Sequence, residues 1–301
     1  MNIVSYGIKQ GEKSILRLSS ALEMPIPIDQ IQGALQSAGI RRGDSLFVHS
    51  SLTRFYHGGG NSLRGYLSRL SPQNSRDYAI RLIQLFLDFT GSTAVLMFPS
   101  DFMGDYERAA ASKQVWSLKD ARTKHRGYLS EVFRTWTGTI RSTHPIYNVT
   151  AQGKDVQKEL RSHWDLLYSM DIGSPWHKFM QIGGKAVFFG VDFEVNSFIH
   201  LPEYIIKNDY PKPIFFNRPH SFIVENPDGC QKEVLGYLHA IKWPHGTVSK
   251  FCQYLNNKYG IYKTVYVRNT PITVFRVKDQ YDALMLELEQ GVSWYDAIYW
   301  R

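Results

Sequence analysis

Apolar positions along this chain recur with two alternating periods. PIPIDQIQGALQSAGI (25–40) spaces Ile31, Ala34 and Leu35 onto one helical face, with Gly39 where the helix ends. The turn RRGD (41–44) leads into SLFVHSS (45–51), whose β-branched and aromatic residues predict a short strand. AIRLIQLFLDF (79–89) is strongly amphipathic at helical spacing, Gly91 closes it, and TAVLMFP (93–99) predicts a second buried strand. GYLSEVFRTW (127–136) predicts another helix, and NVTAQG (148–153) and KAVFFGV (185–191) further strands. Continuous apolar strands alternating with helices predict an α/β core. Beyond residue 205 the runs shorten: IFFN (214–217), SFIVEN (221–226), KTVYVRN (263–269) and ITVFRV (272–277) read as strands, mixed with helix KFCQYLNNKYG (250–260). The expected organisation is one domain over 1–301, with a peripheral extension (1–25), a core (26–205) and a C-terminal α+β lobe (206–301).

Composition narrows the class. The chain has 301 residues, 43% of them hydrophobic and 21% charged, which suits a globular protein with a substantial core. MNIVSYGIKQGEK at the start lacks the apolar region of a secretory signal, and the longest apolar runs, such as AVFFGV (186–191), fit a buried strand rather than a membrane span. Cys230 and Cys252 have neither a disulfide framework nor metal-ligand spacing. A cytoplasmic setting without membrane association is expected. The net charge of +8 invites a nucleic-acid reading, yet the Lys and Arg are scattered and no nucleic-acid-binding motif is present. A solvated basic surface, or an anionic small ligand such as a phosphate-bearing cofactor, remains.

Several tempting motifs fail. HGGG (57–60) is similar to the oxyanion-hole sequence of some esterases, but the required G-x-S-x-G elbow is absent. No P-loop and no G-x-G-x-x-G follows a strand, and the histidines form neither H-x-x-x-H nor H-E-x-x-H.

NSFIHLPEY (196–204) is more informative. Were a helix to begin here, His200 and Glu203 would share a face at i and i+3, with Pro202 in the first turn and His200 at the helix start. On the residues alone, this is either a base aimed by a carboxylate or a capped helix in which Glu203 pairs with Lys207.

Five blocks bear on that choice: IQGALQSAGIRRGDSLFVHSSL (31–52), TAVLMFPS (93–100), GYLSEVFRTWTGTIRSTHPIYNVTAQG (127–153), GSPWHKFMQIGGKAVFFGV (173–191) and NSFIHLPEY. Together, over roughly residues 26–205, they resemble the aminoglycoside 3-N-acetyltransferase family, also called the antibiotic N-acetyltransferase family. The resemblance implies a family-specific α/β/α core and an acetyl-CoA-dependent N-acetyltransferase that acylates a primary amine of an aminoglycoside or amino sugar by direct transfer. It implies an antibiotic-resistance setting and no metal; the missing motif argues against a nucleic-acid partner, and a monomer or homodimer is expected. His200 matches the family's catalytic histidine, with Glu203 orienting it. Many relatives carry an aspartate six residues earlier, where this chain has Glu194, so either carboxylate is open for that role. His144, in STHP (142–145), is a second catalytic candidate lining the pocket, or else a structural turn histidine; relatives often carry another histidine where this chain has Tyr147. For the cofactor the resemblance points to His49, Ser50, Ser51 and Leu52 after the first strand, with Ser142, and with Ser174 as N-cap of a helix whose N1 is Pro175. Backbone N–H groups around 50–52 are expected to hold the oxyanion.

The acceptor-side segment 203–220 sets Lys207, Lys212 and Arg218 against Glu203 and Asp209, a poor cradle for a polycation. The expectation from that charge is a neutral or anionic acceptor, such as a nucleotide-linked amino sugar of surface polysaccharide synthesis. Tyr204, Tyr210, Phe215 and Phe216 are either stacking or core residues. A non-catalytic coenzyme A-binding homologue is the remaining alternative.

Overall fold

The computed structural model describes residues 25–52, 55, 72–123 and 126–300. HGGG (57–60) and all but the last residue of the expected N-terminal extension lie outside the described residues.

Among the described residues, ten strands form two sheets: β1 (Leu46–Ser50), β2 (Leu96–Pro99), β3 (Val115–Ser117), β4 (Ile140–Arg141), β5 (Val149–Gln152), β6 (Lys185–Phe189), β7 (His220–Glu225), β8 (Gln231–Gly236), β9 (Lys263–Val267) and β10 (Thr270–Arg276). The large sheet has the order β4-β5-β2-β1-β6-β10-β9. Its centre, β2-β1-β6, is parallel, with Phe47 opposite Met97 on one side and Ala186 on the other. Antiparallel strands flank that centre at both ends. Every residue of β1 is buried, as a strand covered on both faces requires.

Period-2 alternation sends neighbouring residues to opposite layers. Leu46, Val48, Val187 and Phe189 pack with helices α1 (Ile28–Ser37), α2 (Pro72–Thr90) and α3 (Tyr128–Arg134). Phe47, Ala186 and Phe188 face the other layer, which holds α4 (Pro175–Gln181), α5 (Leu201–Ile206), α6 (Thr247–Tyr259) and α7 (Val277–Glu289). The result is an α/β/α sandwich. The small sheet, β3-β7-β8, has its own core around Phe102, Phe222 and Leu238.

One feature of the expected organisation changes. The strands KTVYV and TPITVFR are not part of a C-terminal lobe. β10 pairs along the whole of β6 and β9 pairs with β10, so both belong to the large sheet. IFFN contributes only a single bridge, Phe215 to His239. Among the described residues no helix is long and apolar enough to cross a membrane.

Candidate active site

The segment 196–206 folds as a 3-10 turn, Ser197–His200, running into α5. Pro202 sits in the first turn, where its missing N–H costs nothing, and His200 is the N-cap residue. Asn196 anchors the approach: its buried amide donates to Gln280 Oε1 (2.7 Å) on α7. Glu203 is thereby carried under His200, and His200 Nδ1–H donates to Glu203 Oε2 (3.0 Å).

Glu203 is fully buried and collects two further partners. Trp294 Nε1–H donates to Oε1. His239 Nε2 lies 2.8 Å from Oε2, at ion-pair distance but off hydrogen-bond alignment, so this contact is coulombic. Burial works against ionisation of Glu203, but His200 and His239 more than offset it and hold the carboxyl down at about 2. For His200 the balance is reversed. Burial lowers its pKa below the ordinary histidine value, Glu203 only partly restoring it, so the ring is neutral near pH 7.

His239 arrives from the loop after β8, pinned by Phe216 N–H to Leu238 O and Ala240 N–H to Ile214 O. It lines a cavity of about 460 Å³ with Tyr106, Tyr147, Tyr204, Ile241 and Trp243. His200 stands directly behind that wall, its ring centroid 4.7 Å from His239, 5.3 Å from Trp243 and 5.7 Å from Tyr147. Tyr147 holds a left-handed backbone (φ 49°), donating its N–H to Tyr106 Oη and accepting from Trp176 Nε1 through its carbonyl. His239 and Trp294 were not singled out in the sequence. Neither sits in a motif, and they reach Glu203 across 36 and 91 residues of chain.

The other expected residues scatter. Glu194 Oε1 accepts from Ser249 N–H (2.7 Å) at the start of α6, so of the two carboxylates it is Glu203 that hydrogen-bonds His200. His144 is fully buried, with Nδ1 taking the Ile146 N–H (3.0 Å) and its ring against His163; it is not among the cavity-lining residues. Burial pushes its pKa down to about 4. Ser142 Oγ accepts from Val149 N–H and Ser174 Oγ from His177 N–H, so both hydroxyls serve the backbone. Leu52 is a core residue beside Leu46 and Val48. Ser51 donates its N–H to Phe189 O (3.0 Å), which removes that group from an oxyanion hole.

His49 and Ser50 remain. They end β1, where open α/β sheets bind ligands at the carboxyl ends of parallel strands. Among the described residues, His49 Nε2 and Ser50 Oγ are buried without a hydrogen-bond partner. Burial first, then the Arg126 charge, lowers the His49 pKa to about 3. Gly127 makes this strand end possible. At φ +83°, a Cβ there would stand 2.5 Å from Ser50 O. Arg126 pairs with Asp101 (2.6 Å) and acts electrostatically on both His49 and Tyr147, linking the strand end to the cavity.

The basic segment is neutralised elsewhere. Lys207 pairs with Asp171 (2.7 Å) and Lys212 with Asp296 (2.8 Å), while Arg218 is exposed, and none of the three lines the cavity beside Glu203. The charge argument for an anionic acceptor therefore loses its basis. His200, Glu203 and His239 also bring one ligand-type atom each within 4.8 Å, the one such trio with metal-holding potential among the described residues.

The α/β/α sandwich is that of an acyltransferase family, and residues 47–289 match the model of the aminoglycoside 3-N-acetyltransferase family, to which this chain belongs. Among its relatives, the SPbeta prophage-derived aminoglycoside N(3')-acetyltransferase-like protein YokD of Bacillus subtilis (strain 168) is 24% identical over 207 residues, covering 64% of this chain and 68% of that protein. The crystal structure of aminoglycoside acetyltransferase AAC(3)-Xa shares the fold with a TM-score of 0.70 at 18% identity, over 94% of this chain and 99% of that one. AAC-IIIb in a binary complex with CoASH matches with a TM-score of 0.65 at 18% identity, over 86% of this chain and 95% of that one.

Proposed function

We propose that this chain transfers the acetyl group of acetyl-CoA directly to a primary amine of an amino sugar or related small molecule, with His200 as general base. The observation that carries the reading is the hydrogen bond from His200 Nδ1–H to the buried carboxylate of Glu203, beside an aromatic cavity. With Nδ1 committed as donor, Nε2 is the basic nitrogen. An alkylammonium must lose a proton before its nitrogen attacks a carbonyl, and a neutral imidazole takes that proton. Glu203, held ionised, then stabilises the imidazolium and keeps the ring oriented. As the new C–N bond forms and the C–S bond breaks, Nε2 returns that proton to the departing thiolate, and the imidazole, neutral again, accepts the second N–H proton from the acylated nitrogen and passes it to solvent. Acetyl-CoA supplies the acyl group already activated as a thioester. The unpartnered His49 Nε2 and Ser50 Oγ fit a polar ligand at the end of β1, and the coenzyme A complex of AAC-IIIb supports this donor.

A second reading makes His239 the base, because His239 lines the cavity and shares Glu203. Thiol release from acetyl-CoA against a panel of amines separates the two. His200→Ala is expected to lower kcat by about 10²-fold or more, the lower range for a general base. A His200→Ala enzyme at near wild-type rate, with His239→Ala inactive, would transfer the role to His239.

A further inference from the structure

We propose that His200, Glu203 and His239 form an inhibitory site for a zinc ion, which stops the reaction by taking the nitrogens that handle its protons. The effect on turnover rests on the acetyl-transfer reading; the site itself rests on geometry. The three donor atoms, His200 Nδ1, Glu203 Oε2 and His239 Nε2, lie within 4.8 Å of one another. Two imidazoles and one carboxylate are a ligand set that holds zinc with a fourth position left for solvent. Ligand atoms about 2.0–2.1 Å from a tetrahedral ion stand about 3.3 Å apart. Glu203 Oε2 is 3.0 Å from His200 Nδ1 and 2.8 Å from His239 Nε2, so each contact has to open by only a few tenths of an ångström.

His239 is the informative member of the trio. Its Nε2 is buried beside Oε2 yet, among the described residues, has no aligned hydrogen-bond partner, so the two atoms sit at close range without a shared proton. An ion bound by both would supply the missing bond. His239 also lines the cavity, which provides the path in, while the carboxylate behind it is fully buried. The support that a coordinating carboxylate needs is present. Trp294 Nε1–H donates to Oε1 and leaves Oε2 as the coordinating atom.

Inhibition follows from the chemistry of the ring. Coordination at Nδ1 needs a lone pair there, so the proton on that nitrogen of His200 moves to Nε2. The ring stays neutral, but Nε2 is now an N–H and cannot take a proton from the ammonium. Were His239 the base, its Nε2 lone pair would be bound to the ion as well. Glu203 then faces zinc instead of an imidazolium. Either base therefore loses its function. The metal-free chain is the active one, so EDTA alone leaves the rate unchanged and reverses the effect of zinc.

The test uses cobalt(II), a coloured stand-in for zinc, and then zinc itself, on the whole chain carrying Cys230→Ser so that the exposed thiol does not compete. Coenzyme A is left out of the binding step, because its thiol also binds zinc. About one cobalt per chain is expected to give the visible absorption of a tetrahedral ion, and zinc to displace it. His239→Ala is expected to weaken binding at least about 100-fold, the upper end of the loss seen when a group that merely supports a ligand is removed. His239→Cys exchanges one zinc ligand for another. It is expected to keep the ion and add a thiolate-to-cobalt charge-transfer band, which separates ligand loss from misfolding. Zinc at that occupancy is expected to abolish acetyl transfer, followed as loss of thioester absorbance, and EDTA to restore it. No cobalt absorption, or binding that His239→Ala and Glu203→Gln leave unchanged, overturns the site. Full turnover by the zinc-loaded chain overturns its inhibitory role. Binding with the expected variant pattern, in a chain that acetylates no amine, would sustain the site while removing the acetyl-transfer reading.

Discussion

Acid should destabilise this protein well above the pH at which its carboxylates titrate. His49 and His144 are buried as neutral rings with pKa values of about 3 and about 4, against 6.5 in an unfolded chain. The sign follows from proton linkage: a depressed histidine binds its proton only after unfolding, so stability falls as pH drops below 6.5 and keeps falling until the folded value is reached. Between about pH 7.5 and about pH 5, each of the two costs about 2 kcal/mol, or about 4 kcal/mol together. His163 and His200, also lowered chiefly by burial, add in the same direction. Glu131 and Glu203, both held down at about 2, stay ionised across that window. Against the roughly 5–15 kcal/mol of a typical domain, the loss is large. Urea unfolding followed by tryptophan fluorescence at both pH values measures it. His49→Leu, placing an apolar group between Phe47 and Phe188, should reduce the pH-dependent loss by about 2 kcal/mol. A loss below about 1 kcal/mol in the wild type would refute the argument, because it would mean these rings are protonated in the folded state.

Other outcomes follow from the same site. Glu203→Gln removes the charge that faces the His200 and Trp294 donors and the His239 ring, and should lower kcat by about 10-fold or more while costing about 1–3 kcal/mol in urea unfolding. The acidic limb of the kcat profile should lie below the ordinary histidine value, because burial lowers His200; a limb above that value would contradict its neutral, desolvated environment. Dialysis against EDTA should leave thiol release unchanged, since the trio is read as a proton-handling group; lost turnover restored by zinc would show a metal instead. Gly127→Ala should cost more than about 1 kcal/mol, because a side chain there is strained at positive φ and meets Ser50 O; an unchanged Tm would rule out the close approach.

The parts of the molecule that were legible in the sequence are those decided locally. SLFVHSS and KAVFFGV could be recognised as central strands because burial on both faces demands an unbroken apolar run. The pairing of His200 with Glu203 was readable because both lie within one helical turn, and Pro202 marks where that turn begins. His239 was not readable, since its place depends on a single bridge to Phe215 and on two backbone bonds between loops. The lysines of 203–220 misled for a related reason. Charge counted along a segment ignores partners folded in from elsewhere, here Asp171 and Asp296. The strand character of KTVYV and TPITVFR was visible in their residues, but their destination was not, because pairing across a sheet leaves no local periodicity.

That destination has a cost during synthesis. β6 ends at Phe189 and its partner β10 begins at Thr270, so a nascent chain emerging at about 5–20 residues per second carries β6 unpaired on that side for roughly 4–16 s. An apolar strand with a bare edge is a template for pairing with another copy. A ribosome that stalls or terminates in that interval would release an aggregation-prone fragment, which ties the yield of this fold to the pace of translation.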